Sequence, residues 1–538
     1  MGHMGLDFSR CRTTPFAHQK IGIEALCSNP FFFLTDEMGA GKSKQVIDAA
    51  QFLYEQGVID RVLIVAPASV RSVWYDQELG ELQKHLWTPS IVGEFHAKTR
   101  QWTYGDNRPL MTWFVTNYEF IRSKNRLNQL LPFCTYKTLL VLDESAYVKS
   151  HDSAQTKACK QLRERCGRVV LLNGTPIAHS PLDLFSQGNI LSPTILNCKY
   201  ITYFKAYYAV EEPVRGAGGH VIERHGRAVK TITGWRHLDE IQRRFAPYTL
   251  RRLKKDCLDL PPVLPPITYT VPLDENTWTM YTSMRDDLVV WLSDETVVTA
   301  QQAAVKVLRL AQLTSGFLGG VEAAFPEDNH HITSSIIPDG HGGTQPADTH
   351  AEYAQGKTQE LYNTKEVSRE KLDFVLNLYR ELLAADPNLK VIVWCRFVPE
   401  LKRLIREMQY SQYDCGFIYG GQNKAEREAA LRLLDPRTAP KGPVFFVGTY
   451  GTGSLGINLT AAHTVINMSY DYSYWKFLQS AARVDRPGQV SPVSIIDIVA
   501  TGPTGQATID KHIVKLRRQR ADVAEYTTAA WVLALREE

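Results

Sequence analysis

The stretch FFFLTDEMGAGKS, Phe31 to Ser43, restricts the fold more than any other part of the chain. A short apolar run stops on Asp36 and Glu37, then gives way to Gly39, Gly41, Lys42 and Ser43. A buried strand that breaks into a glycine turn and opens a helix has the form of a phosphate cradle. Glycines let backbone N–H groups approach an anion without an intervening Cβ, and the helix aims its positive end at it. Lys42 would supply charge, and the Ser43 hydroxyl would reach a magnesium ion. The residues expected around the phosphates are Met38, Gly39, Ala40, Gly41, Lys42 and Ser43. Asp36 stands where the pattern G-x-x-x-x-G-K-[ST] has its first glycine. A plain strand–turn–helix uses the same residue types, so the rest of the chain must decide.

A loop of this kind belongs at the carboxyl edge of a parallel sheet, and the chain predicts two such sheets. In the first ~190 residues the strand candidates are FFFLT, RVLIVA (61–66), TWFVTN (112–117), TLLVLDE (138–144) and RVVLLNGT (168–175). A second set comprises KVIVWC (390–395), CGFIYG (415–420), PVFFVGT (443–449), HTVINMS (463–469) and VSIIDIV (493–499). The fold class expected is α/β, with two tandem RecA-like lobes and helical insertions. The divisions read from the sequence are 1–190 for lobe 1, 191–265 for a helical and hairpin insertion with a basic linker, 266–365 for a helical protrusion and long loop, and 366–538 for lobe 2 with a C-terminal helix. Within the insertion, 215–235 reads as a hairpin carrying Arg215, Arg224, Arg227 and Lys230, either solvated or touching nucleic acid. The stretch 319–364 is rich in Gly, Pro, His and Thr and reads as a loop. Its His330, His331, His341 and His350 have no metal-ligand spacing.

Nucleotide hydrolysis needs a carboxylate near magnesium and a group that orients the attacking water. The strand LLVLDESAYVK ends on adjacent acids about a hundred residues after the lysine loop. Asp143 would serve the metal and Glu144 the water. In QSAARVDRPGQ (479–489), Arg483 and Arg486 are three apart and share a face if the segment is helical. Arginine stabilises the charge that develops on a transferring phosphoryl group, so the second unit would supply half of the site.

Composition leaves this reading intact. The chain is 44% apolar and 22% charged, as in ordinary globular proteins, and its net charge of +4 is too small to decide for or against nucleic acid. No apolar run is long enough to span a bilayer, and the start carries no signal-peptide pattern. Nine scattered cysteines without a C-x-x-C point to a reducing compartment, which we expect to be cytoplasmic.

Taken in order, these segments resemble the SNF2 family of helicase superfamily 2, in a compact bacterial or phage form. PFAHQKIGIEAL is similar to the glutamine motif, which implies that Gln19 reads the adenine edge. TDEMGAGKS resembles motif I, in which the family also carries an acid at the position of Asp36. VLIVAPASVRSVW, VLDESAYVKS and LLNGTPIAHSPLDLFS resemble motifs Ia, II and III. YTLRRLKKDCLDLPP (248–262) resembles the basic segment that joins the family's lobes. VIVWCRF, GTGSLGINLTAAHTVI and QSAARVDRPGQ resemble motifs IV, V and VI. The chain departs at Ser145–Ala146 in motif II, by one extra residue in motif V, and at Asp485 and Pro487 in motif VI. The resemblance implies ATP and Mg2+ as cofactors and DNA as the partner, duplex or branched and without sequence specificity. It also implies phosphate contacts from Ser69, Arg71, Thr116, Asn117, Arg396 and Thr449, although polar residues at strand ends also cap helices. The expected activity is a DNA-stimulated ATP hydrolase translocating on duplex DNA. A strand-separating or branch-migrating helicase and a non-hydrolysing DNA-binding scaffold are the alternatives.

Overall fold

The computed structural model describes residues 5–68, 70–76, 80–94, 110–174, 181–213, 220–221, 223–224, 227–293, 300–319, 364–410, 414–453, 457–471 and 473–518. Ser69, Arg215, most of the 319–364 stretch with its four histidines, and residues 519–538 of the expected C-terminal helix lie outside the described residues. The chain divides into two compact units, one mainly Met1–Leu260 and the other mainly Pro261–Gly453 and Asn458–Arg520.

The first unit is built on a seven-stranded sheet. Its strands are β1 (Phe31–Leu34), β2 (Arg61–Ala66), β3 (Ser90–Glu94), β4 (Met111–Asn117), β5 (Thr138–Leu142), β6 (Arg168–Leu172) and β7 (Thr249–Leu250), in the order β7-β1-β6-β5-β2-β4-β3. Every pairing is parallel. A parallel sheet covered on both faces needs apolar side chains on both, which is why RVLIVA and TLLVL are nearly unbroken hydrophobic runs. Successive side chains alternate faces. Leu63 and Val65 join Phe114, Leu140 and Leu171 in one core, while Val62, Ile64 and Ala66 join Phe32, Val141 and Val170 in the other. β3 and β7 were not among the predicted strands. β3 is an edge strand with Ile91 and Val92 exposed, and β7 is only two residues long, so neither carries the buried run that marks the rest.

In the second unit the strands are β8 (Ile267–Pro272), β9 (Lys390–Cys395), β10 (Cys415–Ile418), β11 (Val444–Thr449), β12 (Thr464–Asn467) and β13 (Ser494–Thr501). They are ordered β8-β13-β12-β9-β11-β10, again all parallel. β8 was not read as a strand, because it runs along the sheet edge with most side chains exposed. Helices Glu275–Ser293 and Ala300–Thr314 follow it. In the insertion of the first unit, Ala209–Pro213 pairs antiparallel with Lys230–Trp235. All nine cysteines are free thiols. Among the described residues, no helix is long and apolar enough to cross a membrane.

The second unit buries several charges. Lys371 and Asp510 form an ion pair at 2.7 Å, and Asp510 also accepts from Thr314 Oγ1 at 2.9 Å and Ala500 N at 3.1 Å. Glu400, 1% exposed, accepts from Ser469 Oγ at 2.5 Å, while its Oε1 is buried without a hydrogen-bond partner among the described residues. Burial pushes the Glu400 carboxyl up to about 7, against the pull of Lys371, Ser469 and Arg403 and with a contribution from Asp510. Its folded pKa thus exceeds the unfolded one. The stability it contributes is fully present below the ordinary glutamate range and is lost as pH rises to about 7. Glu400→Gln replaces the titrating group by a neutral isostere. We expect its melting temperature to gain on the parent protein as pH rises from 5 to 8, by a difference worth on the order of 3 kcal/mol at most. Parallel melting curves across that range check this, and a constant offset would be the contrary result.

Candidate nucleotide-binding site

The loop after β1 has the shape its glycines require. Gly39 and Gly41 adopt φ of 90° and 78°, the left-handed region that other residues seldom occupy. Gly41 caps the helix Lys42–Glu55, here α2. A Cβ on Gly41 would lie 2.3 Å from Gln19 Nε2 and displace that amide, but it is the left-handed conformation that demands glycine. Lys42 sits inside the curl, its Nζ donating to Asp36 O at 2.8 Å and Glu37 O at 3.3 Å. Burial lowers its pKa, while Glu144, Asp36 and Asp143 act in the opposite direction, which places both strand-end acids within electrostatic reach of the ammonium. A cationic group resting on neutral carbonyls beside backbone N–H groups fits an anionic ligand.

The helix Ala17–Ser28, here α1, lies against this loop. Gln19 Oε1 accepts from Phe16 N at 3.0 Å, capping its own helix, and Nε2 donates to Ala40 O at 3.4 Å. His18 Nε2 lies 2.9 Å from the same carbonyl. Gln19 therefore bonds the helix start and the loop backbone.

At the end of β5, Asp143 is oriented from several sides. Its Oδ2 accepts from Trp74 Nε1 at 2.8 Å, its Oδ1 from Glu144 N at 3.0 Å, and its carbonyl from Tyr118 OH at 2.8 Å. Glu144 has φ of 49° and ψ of 56°, a left-handed conformation that costs a non-glycine residue strain. Ser145 is fully buried and donates to Gln187 Oε1 at 2.6 Å. Gln187 belongs to the helix Leu182–Leu191 and donates in turn to Asp183 O at 2.7 Å. The altered residue of motif II thus links the acids to the helix in which motif III ends. Among the described residues, no cluster of three or more His, Cys, Asp or Glu side chains could hold a metal by itself. One carboxylate and one hydroxyl, Asp143 and Ser43, suit magnesium, which takes few protein ligands beside phosphate oxygens and water.

Arg483 and Arg486 follow the helix Tyr474–Ala481 in a turn, which corrects the expectation of a shared helical face. The helix has ended at Ala481, and Pro487 and Gly488, the latter with φ of 105°, lie beyond both arginines. Arg483 is buried, and Arg486 Nε donates to Ala482 O at 3.1 Å.

The residues expected to touch DNA have varied surroundings. Arg71 pairs with Glu94 at 2.7 Å. Thr116 is fully buried in β4, and Asn117 Oδ1 accepts from Phe120 N at 2.7 Å, the helix-capping role that competed with DNA contact. Thr449 is buried beside Thr452, Oγ1 to Oγ1 at 2.9 Å. Arg396 N donates to Ser469 Oγ at 2.6 Å, and its guanidinium reaches Tyr470 O at 3.3 Å. Sequence reasoning gave no role to Trp74, His18 or Arg252. An acid at a loop position otherwise held by glycine was a signal that a cation must face it.

A profile of the SNF2-related domain matches residues 25–315, and one of the helicase conserved C-terminal domain matches 370–488. The chain belongs to the SNF2 family. Human lymphoid-specific helicase is 22% identical over 539 residues, covering 90% of this chain and 60% of the relative. The chicken DNA repair and recombination protein RAD54B is 25% identical over 505 residues, covering 90% and 50%. The chain thus spans between half and three fifths of the length of these relatives. Among solved structures, the Sulfolobus solfataricus SWI2/SNF2 ATPase core in complex with dsDNA aligns at a TM-score of 0.40 and 20% identity, covering 92% of this chain and 90% of that one. The two SNF2-type domains imply an ATP-dependent activity.

Lys42→Ala should leave the fold intact, because among the described residues its side chain hydrogen-bonds only carbonyls of its own loop. Loss of its charge beside a buried phosphate should weaken ATP binding by roughly 2–5 kcal/mol. Titration with a fluorescent ATP analogue checks this, and wild-type affinity would exclude the cradle.

Proposed function

We propose that the chain is a DNA-stimulated ATP hydrolase that moves along duplex DNA. The observation that carries the hydrolytic reading is Lys42, held in a loop of left-handed glycines within electrostatic reach of Asp143 and Glu144. Met38 to Ser43 would surround the phosphates, with Gln19 beside them at the loop backbone. Ser43 and Asp143 would hold Mg2+, which when bound neutralises phosphate charge. Trp74 fixes the Asp143 carboxylate, and Glu144 projects from a strained turn to orient the attacking water. Arg483 and Arg486 are assigned the charge that develops in the transition state, the role their motif has in the resemblance.

Support for DNA comes from the family and from the names its relatives carry, which include DNA repair and recombination and, in mouse ZRANB3, DNA annealing. Arg71 and Arg396 are the described candidates best suited to phosphate contact, since Thr116 is fully buried. Phosphate tracking without base readout fits a chain in which we found no sequence-reading motif.

Glu144→Gln keeps the shape of the side chain and removes its charge. It should bind ATP as the parent does and turn it over slower by about 10²–10⁴. A collapse of affinity would make Glu144 structural instead.

Duplex DNA should raise ATP turnover with little sequence preference, and the stimulation should fall as salt rises because phosphate contacts release counterions. Displacement of a triplex third strand, without separation of the duplex, would establish movement along it. A turnover rate indifferent to DNA at low salt would overturn the DNA reading and leave an ATPase acting elsewhere.

A further inference from the structure

Asp36 replaces a glycine at the mouth of the phosphate loop, is fully buried, and lies next to a site built for anions. A buried carboxylate there is costly unless paired and hydrogen-bonded. Its partner comes from far along the chain. Arg252 Nε donates to Asp36 Oδ1 at 2.9 Å, and a terminal nitrogen pairs with Asp36 Oδ2. That nitrogen also donates to Gln45 Oε1 at 2.8 Å, and the other terminal nitrogen donates to His18 O. Gln45 Nε2 closes the ring by donating to Asp36 Oδ2 at 3.0 Å.

Every acceptor in this cluster belongs to the loop or to a helix beside it. Asp36 is in the loop, Gln45 is on α2, and His18 is on α1. The backbone repeats the attachment, with Thr35 N donating to Leu250 O at 2.9 Å and Glu37 N to Arg252 O at 3.0 Å, while Lys254 N donates to Glu37 Oε2 at 2.8 Å. The basic segment therefore continues β7 as a ladder along the entrance of the loop. Gly22, in the middle of α1, makes room for it. A Cβ there would come within 1.8 Å of Gln45 Oε1 and 2.8 Å of an Arg252 terminal nitrogen. The carbonyls on which Lys42 rests are those of Asp36 and Glu37, the two residues the segment holds.

We infer that Arg252 is a positioning residue of the nucleotide loop: it anchors Asp36 and thereby fixes the carbonyls and N–H groups between Asp36 and Lys42 for the phosphates. This rests on the reading of the loop as a nucleotide site. Arg252 does not itself need to touch nucleotide. The fork is what matters, because one guanidinium serves four acceptor oxygens of three residues while an ammonium offers a single point of charge.

The test compares nucleotide affinity with stability in the full chain. Arg252→Lys keeps a cation for Asp36 and loses the fork. Its melting temperature should stay near that of the parent, while the dissociation constant for a fluorescent ATP analogue with Mg2+ rises roughly ten- to a hundred-fold. The double variant Asp36→Asn with Arg252→Gln removes both charges, so no unpaired buried ion remains even where the lysine variant fails to fold. It should melt like the parent and still bind the analogue weakly. Parental affinity in either variant, or affinity that returns together with stability in the double variant, would reduce the cluster to a structural ion pair and overturn the inference. Lys42→Ala separates the two readings: if parent and Lys42→Ala bind the analogue equally, the nucleotide site itself is wrong.

Discussion

All strands of a parallel sheet end at the same edge, and this constraint organises the first unit. The side chains that follow β1, β2, β4, β5 and β6 gather there whatever their distance in sequence. Asp36 and the glycines follow β1, Asp143 and Glu144 follow β5, and Gly174 follows β6 closely enough that a Cβ on it would meet Met38 Cγ at 2.5 Å. The strand bodies are apolar because both faces are covered, so polarity is confined to the ends. The same rule that makes the core makes the site.

Charges near that edge are treated in two ways. Lys44 and Asp48 pair at 2.8 Å within α2, and Asp36 pairs with Arg252. Buried ions matched in this manner stabilise little over an apolar replacement, but losing one partner is severe. Lys42 instead donates to two neutral carbonyls, which hold an ammonium less strongly than a carboxylate would. Its bonds can be exchanged for phosphate oxygens without breaking an ion pair. The contrast between Lys42 and Lys44, two residues apart, is between a cation resting on neutral carbonyls, as the proposed phosphate role requires, and one held in an ion pair.

What the sequence revealed follows the same division. β2 and β9 are legible to the residue, since RVLIVA and KVIVWC are continuous buried runs between polar borders. β3, β7 and β8 were not, because an exposed or very short edge strand leaves no apolar signature. In the site, the loop glycines and the paired acids were readable from their order along a strand and turn. The Arg252 contact was not, because it spans 216 residues and only the fold brings its partners together. The turn at Arg483 and Arg486 was missed for a different reason: spacing suggests a face only while the helix lasts, and this one stops at Ala481.

The strained turn at Glu144 is the point where packing and chemistry meet. A glutamate at φ of 49° would relax if its neighbours allowed it. On one side, Asp143 is tied by its N–H to Val65 O at 2.9 Å, by its carbonyl to Tyr118, and by its carboxylate to Trp74. On the other, buried Ser145 is tied to Gln187 at 2.6 Å. A hydroxyl in this position does what an alanine could not, since it converts the residue after the acid into a hydrogen-bonded anchor on the helix Leu182–Leu191. With both flanks fixed, the backbone between them has little freedom to move Glu144 out of its conformation. If Glu144 orients the attacking water as proposed, its backbone would be set before substrate arrives, by hydrogen bonds on either side that are already made.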